Sequence, residues 1–231
     1  VIDRKWWISS TGEEPNPATY RLAMSPVKHF LCPAAPVFEP LVGSKLGGTV
    51  IGIHVFHNDK GIRTIYWGED YKVEVEHRFL APTHYVGSAG TGVGTNAEYL
   101  RWAGVFTNRS SLSLAGLAAR DGASNTLLYG EAVGSRDPEQ PAQTRDLSWM
   151  GSGALGTYDG LVRGRESTVM TFSSHHLRGV PFCFGDGAVR WLRYQAYGGP
   201  KEPRTPAWVA LQQLAGVADG GLTDLGLIML D

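Results

Sequence analysis

Residues 172–192 read FSSHHLRGVPFCFGDGAVRWL, and this stretch decides the fold class. Val180 to Phe184 and Ala188 to Leu192 are two short apolar runs on either side of Asp186-Gly187. An Asp-Gly pair between alternating apolar residues is a strong hairpin signal, because glycine takes the positive φ that tight turns between strands require. The reading is an antiparallel strand pair, with His176 ten residues ahead of Asp186.

Outward from this hairpin, the residues from Thr49 to Phe79 carry the clearest strand pattern. TVIGIHVF, the turn Asn58-Asp59-Lys60-Gly61, IRTIYW, the turn Gly68-Glu69-Asp70 and YKVEVEHRF read as a three-strand β-meander. Tyr71, Val73 and Val75 alternate with Lys72, Glu74 and Glu76, so the last strand has one wet face and the meander is expected to be antiparallel and half exposed. Gly104 to Thr107 and Thr126 to Ala132 are further strand candidates around a helical turn at Leu114 to Ala119. Asp121-Gly122 ends that turn, and Ser124 and Asn125 can bond neighbouring backbone groups. Pro206 opens a predicted helix running from Ala207 to Gly216, with Trp208, Leu211 and Leu214 on the face that docks on the sheet. Leu225 to Leu230 is a closing strand candidate.

Composition agrees with a β-rich chain. Thirty glycines and 13 prolines in 231 residues point to many turns and short strands and away from a helical bundle. A chain of this length buries a core large enough to fold without a metal or a disulfide. The formal charge of -1, with Lys and Arg scattered, provides no electrostatic footprint for nucleic acid. No run of 18 or more apolar residues occurs, and Val1 to Ser10 has neither a basic n-region nor an apolar core.

Four segments, in order, carry a family resemblance. They are His29-Phe30-Leu31-Cys32-Pro33; His84-Tyr85-Val86-Gly87-Ser88-Ala89-Gly90; Asp121-Gly122-Ala123-Ser124-Asn125-Thr126-Leu127 with Gly130-Glu131; and Ser173-Ser174 with His176 and Asp186-Gly187. Together they resemble the bacterial prepilin-like family with a C-terminal H-X9-DG motif, whose large DUF1559-type domain has no assigned function. They span Phe30 to Leu192, about 70% of the 231 residues. Cys183 does not match the family pattern.

The resemblance implies an α+β fold with a dominant antiparallel sheet, similar to the globular headgroup of a type IV pilin or pseudopilin, with the 49–79 meander as an insertion. Residues 1–26 would be an N-terminal extension, 27–198 the headgroup, and 199–231 a Pro-Gly linker, a short helix and a last strand. A pilin-type leader and long apolar helix are expected in such a family and do not occur here, so the chain is expected to be a shortened or processed form. The implied role is a non-catalytic structural or assembly component of the extracytoplasmic cell envelope, in the periplasm or at the cell surface. Its partners would be other envelope proteins or like subunits, with membrane contact only through the missing helix and none with nucleic acid. The alternative is a soluble or complex-bound extracytoplasmic binding module, reading a glycan or an envelope protein through Trp6, Trp7, Trp67 and Trp102.

For chemistry, His176, Asp186, Asp121 and Glu131 are the residues that can come together, with His176 fixing a turn by a hydrogen bond or with the carboxylates holding Ca²⁺ through oxygen ligands. The structural bond is the preferred reading, with Gly187, Gly122, Ser124, Asn125 and Cys32 as further motif positions. A third function, hydrolysis, would recruit Ser173 or Ser174 with His175 or His176 and Asp186, but triad members normally come from separate elements and no nucleophile elbow is present. His54, His57 and Asp59 have ligand-like side chains, though His54 and His57 point to opposite faces of a strand. Ala89 to Gly94 is glycine-rich yet lacks the Lys-Ser/Thr of a phosphate loop. No cofactor or metal is expected. Cys32 and Cys183 are compatible with one disulfide or with two thiols.

Overall fold

The computed structural model describes residues 22–23, 25–35, 48–58, 61–68, 81–94, 96–107, 110–135, 145–150, 153–196, 204–221 and 224–230. The strands are β1 (Gly48–Asn58), β2 (Gly61–Gly68), β3 (Pro82–Thr83), β4 (Tyr85–Ser88), β5 (Val93–Gly94), β6 (Leu127–Glu131) and β7 (Arg145–Ser148), followed by β8 (Ala154–Leu155), β9 (Gly160–Arg163), β10 (Phe172–Ser174), β11 (Val180–Phe184), β12 (Val189–Leu192), β13 (Gln195–Ala196) and β14 (Met229–Leu230). The helices are α1 (Ala97–Leu100), α2 (Leu114–Ala118) and α3 (Pro206–Ala215). This is a β-rich α+β arrangement whose sheets are mixed as well as antiparallel.

The central sheet has the order β14-β12-β11-β6-β4-β8. Its strands pair antiparallel except β8, which runs parallel to β4. Strand β11 alternates as the sequence pattern requires: Val180, Phe182 and Phe184 are fully buried, while Pro181 and Cys183 face the other side and are half-buried. The buried face packs against α3 through Leu211, Leu214 and Ala215 in one core with Leu127, Phe172, Leu192 and Ile228. Close approach of β6 to this core requires a glycine, since a Cβ at Gly130 would lie 2.3 Å from the Phe182 ring.

The hairpin forms where Asp186-Gly187 places it. Cys183 pairs with Val189, and Gly187 adopts φ 81 and donates its N–H to Phe184 O, closing a three-residue loop with a left-handed last residue. Helix α3 starts at Pro206, as Pro at the first position predicts, and Thr205 caps it by accepting the Trp208 N–H. Trp208, Leu211 and Leu214 are all buried. Arg204 pairs with Glu98 and with Tyr99, tying the entry of α3 to α1.

Several expectations are corrected. Strands β1 and β2 do form the first hairpin of the meander, with Asn58 opposite Gly61, but β1 also pairs in parallel with β5 and β7. It is therefore an inner strand of a five-stranded mixed sheet, where the strand pattern predicts a purely antiparallel arrangement; the third strand of the meander, Tyr71 to Phe79, lies outside the described residues. Gly104 to Thr107 is not a strand. It is a strap bonded to Ser88 and Ala89, and a Cβ at Gly104 would lie 2.3 Å from Gly90 N. The predicted closing strand is a 3-10 turn at Leu225–Leu227 followed by the short β14. No helix among the described residues is long and apolar enough to cross a membrane.

Candidate functional site

Two strands carry most of the residues singled out above, and because β6 and β11 are antiparallel, each contributes to both ends of the sheet. Glu131 closes β6 where His176 precedes β11. At the other end, Asp121 to Asn125 leads into β6 where β11 turns through Asp186-Gly187. Asp121 lies ten positions before Glu131, with the 3-10 turn Ala123–Asn125 and strand β6 between them, so the two sit at opposite ends of the strand. The four-residue cluster of His176, Asp186, Asp121 and Glu131 is thus divided in two, and the Ca²⁺ arrangement of Asp121, Glu131 and Asp186 does not assemble.

The buried end is built from three separate elements. The 3-10 turn Lys28–Phe30 delivers Cys32, whose backbone N–H donates to His84 Nδ1 at 3.0 Å. His84 in turn donates its backbone N–H to Phe30 O and its carbonyl accepts the Ala132 N–H, which locks this segment beside β6. Strand β6 delivers Glu131, which has no exposed surface. Strand β10 delivers Ser174, whose hydroxyl donates to Glu131 Oε2 at 2.8 Å and accepts the His176 backbone N–H at 3.0 Å. His176 then points its Nε2 at Cys32 Sγ, 3.3 Å away, and at Glu131 Oε2, 3.9 Å away. Its ring stands edge-on to Trp191 at 5.0 Å between centroids, and the Tyr194 hydroxyl meets the carbonyls of Ser174 and His176.

Electrostatics follow from the dryness of this end. Burial pushes the Glu131 carboxyl up against the opposing pull of its thiol, hydroxyl and imidazole neighbours, and leaves Glu131 Oε1 without a hydrogen-bond partner. Burial likewise raises the Cys32 thiol, and Glu131 raises it further. Tyr85, paired across the strands with Glu131, is pushed up to about 12 by burial first and by Cys32 and Glu131 next.

The exposed end is held differently. Asp186 accepts the Ala188 N–H at 2.9 Å and pairs with Arg190 at 2.7 Å, and both bonds draw its carboxyl below the usual range, the backbone bond most. Arg190 also donates to Ser124 O, and Asp186 gives its own N–H to Ala123 O, so the hairpin tip rests on the 123–125 turn. Gly122 has φ 93 and its carbonyl accepts from Asn125 N and Thr126 Oγ1; Asn125 Nδ2 donates to Asp121 O. The Asp121 carboxylate accepts the backbone N–H groups of Asp219 and Gly220, anchoring the segment after α3.

The hydrolase residues are not brought together. Ser173 Oγ accepts the Val133 N–H, Ser174 Oγ is bonded to Glu131, and Asp186 lies at the opposite end of the sheet. Nor does His176 connect a thiol and a carboxylate through two different nitrogens, as a nucleophile relay requires; both meet Nε2. Cys32 and Cys183 are free thiols, Cys183 lying on the outer face of β11 with its Sγ near Phe184 O. Trp102 is not a surface residue: it is buried edge-on against Trp208, in a cluster with Tyr158. Trp6 and Trp7 lie outside the described residues, as does the Trp67 side chain. The sequence reading missed the convergence of Cys32 on Glu131 and His176, and the signal for it was present only as three separate motif positions.

A family model described as a protein of unknown function (DUF1559) matches residues 2–196. No curated protein and no solved structure matches the chain.

Proposed function

The chain belongs to the DUF1559 family, and from that premise we propose that it is a non-catalytic headgroup of a pilin-like assembly in the cell envelope, docking on a like subunit through the outer face of its central sheet. One observation carries this reading. Part of the sheet face turned away from the core, beside the corner that Glu131 occupies, is a cross-strand apolar strip. Tyr129, Cys183 and Val189 form one row, and Pro181, Trp191 and Leu230 form the next. Val189 is 65% exposed and Tyr129 46% exposed, whereas a sheet face meant for water alternates toward polar side chains. Most of the polar motif residues, in contrast, are spent on contacts within the fold: Ser174 on Glu131, Asp186 on Ala188 and Arg190, and Asp121 on the backbone of Asp219 and Gly220, as a scaffold needs.

A self-complementary strip of this kind suits contact between identical subunits. The test places a photo-crosslinking residue at position 189 of the chain in its native host and looks for an adduct with a second copy. The expected product is a homodimer adduct that Tyr129→Lys abolishes while the monomer keeps its melting temperature. Adducts confined to a different envelope protein would transfer the strip to a heterologous partner, and no adduct at all would remove the docking role.

A further inference from the structure

We propose that Cys32, Glu131 and His176 bind one divalent transition-metal ion of the Zn²⁺ class. One donor atom from each, Cys32 Sγ, a Glu131 carboxylate oxygen and His176 Nε2, lies within 4.8 Å of the other two. Donors around one tetrahedral Zn²⁺ sit about 3.4–3.6 Å apart, given metal distances of about 2.3 Å to sulfur and about 2.0–2.2 Å to nitrogen and oxygen. The observed 3.3 Å from Sγ to Nε2 and 3.9 Å from Nε2 to Oε2 bracket that spacing. The third pair, Cys32 Sγ to the Glu131 carboxylate, lies within the same 4.8 Å, so side-chain shifts of about 1 Å bring the set to the tetrahedral spacing.

The Glu131 carboxylate has capacity left for an ion: Ser174 holds Oε2, while Oε1, in a fully buried residue, has no hydrogen-bond partner. Charge balance points the same way. A thiolate and a carboxylate carry two negative charges that a dry site tolerates poorly, and one divalent cation with a neutral imidazole brings the sum to zero. Binding exchanges the thiol proton for the metal: the S–H bond breaks, the S–metal bond forms, and the proton leaves to solvent.

The supporting contacts are those that hold ligands in metal sites. Ser174 Oγ fixes Glu131 Oε2, His84 Nδ1 fixes the Cys32 backbone, and Tyr194 holds the carbonyls at Ser174 and His176. His176, whose side chain is 32% exposed while Glu131 is fully buried, is the route of entry, and a water admitted beside it would be the fourth ligand. A sulfur-nitrogen-oxygen set selects Zn²⁺ or Co²⁺ over Ca²⁺ and Mg²⁺, which demand oxygen ligands. The site borders the docking strip, since Glu131 shares a face of β6 with Tyr129 and His176 stands edge-on to Trp191, but the metal titration reads only the three ligands and its outcome does not depend on whether a second copy docks there.

The experiment strips the 231-residue chain with a chelator and titrates it with Co²⁺ and then Zn²⁺. One equivalent of Co²⁺ is expected to produce a sulfur-to-cobalt charge-transfer band that Zn²⁺ bleaches, and Zn²⁺ is expected to raise the melting temperature. Cys183→Ser should retain the band and Cys32→Ser should lose it. Glu131→Gln should weaken Zn²⁺ by more than about a hundredfold, since supporting contacts alone carry about 10–100-fold. A folded wild-type chain with no thiolate band overturns the proposal, as does a band that survives in Cys32→Ser. Should Cys32→Ser fail to fold, alkylation of Cys32 in the wild-type chain decides: Zn²⁺ must slow it severalfold, and an unchanged rate refutes the site.

Discussion

Gly130 and Gly187 sit near the two ends of the same antiparallel strand pair, and each is glycine for a different reason. At Gly130 the constraint is space, since a Cβ there would strike the Phe182 ring at 2.3 Å. At Gly187 the constraint is backbone conformation: φ is 81 and nothing lies within 4 Å of an added Cβ. The contrast extends to the polar residues beside them. Next to Gly130, side chains from three elements far apart in sequence meet in a dry pocket; next to Gly187, a solvated turn is closed by its own backbone and by one ion pair. One end specifies tertiary structure, and the other specifies a local turn.

The largest effect is expected from Gly130→Ala. The Phe182 ring is fully buried and packs on Phe172 at 4.9 Å, so it has little room to retreat, and overpacking of this kind costs about 1–3 kcal/mol. Chemical denaturation should show the loss in the midpoint with the slope unchanged. A midpoint equal to wild type would mean that β6 and β11 slide apart freely, and the rigid buried end would be lost from the account.

Gly187→Ala should cost about 1 kcal/mol, the penalty for placing an L side chain in the left-handed region with no steric clash. Gly187→Asn is the sharper variant, because asparagine tolerates that region and should recover most of the loss. At Gly130 asparagine should be worse than alanine. If the two positions ranked alanine and asparagine in the same order, the distinction between spatial and conformational glycines would collapse.

This division also explains what could be read from the amino-acid order. The hairpin at Asp186-Gly187, the period of two in Val180 to Phe184 and the helix behind Thr205-Pro206 are local signals, and the structure contains all three. Parallel pairing of β1 with β7 and β5 is a contact between distant segments with no local signature. Burial of Trp102 depends on where α3 docks, which no pattern around position 102 records. At the candidate site each of Cys32, Glu131 and His176 was visible as a motif position, but Cys32 and His176 are 144 positions apart. The register of β6 against β11, the anchoring of Cys32 by His84 and the Ser174 bonds to Glu131 and to the His176 backbone place them together.

The smallest effects separate the two ends by the sign of their pH dependence. Burial raises the folded pKa of Glu131, so in the metal-free chain the native state binds more protons there than the unfolded state. Its stability therefore falls as pH rises from the ordinary glutamate value through the raised one. Asp186 is the reverse case. The Ala188 N–H and Arg190 lower its folded pKa, so it contributes stability above the ordinary aspartate value, and that contribution is lost as pH falls through the lowered one. Urea melts in chelator across the acid and neutral range should show Glu131→Gln flattening the decline toward neutral pH. Asp186→Asn should flatten only the acid limb, and with both partners solvated its effect at neutral pH should be slight. A Glu131→Gln chain with the wild-type slope would mean that water reaches the carboxylate, and the two ends would then differ in sequence but not in environment.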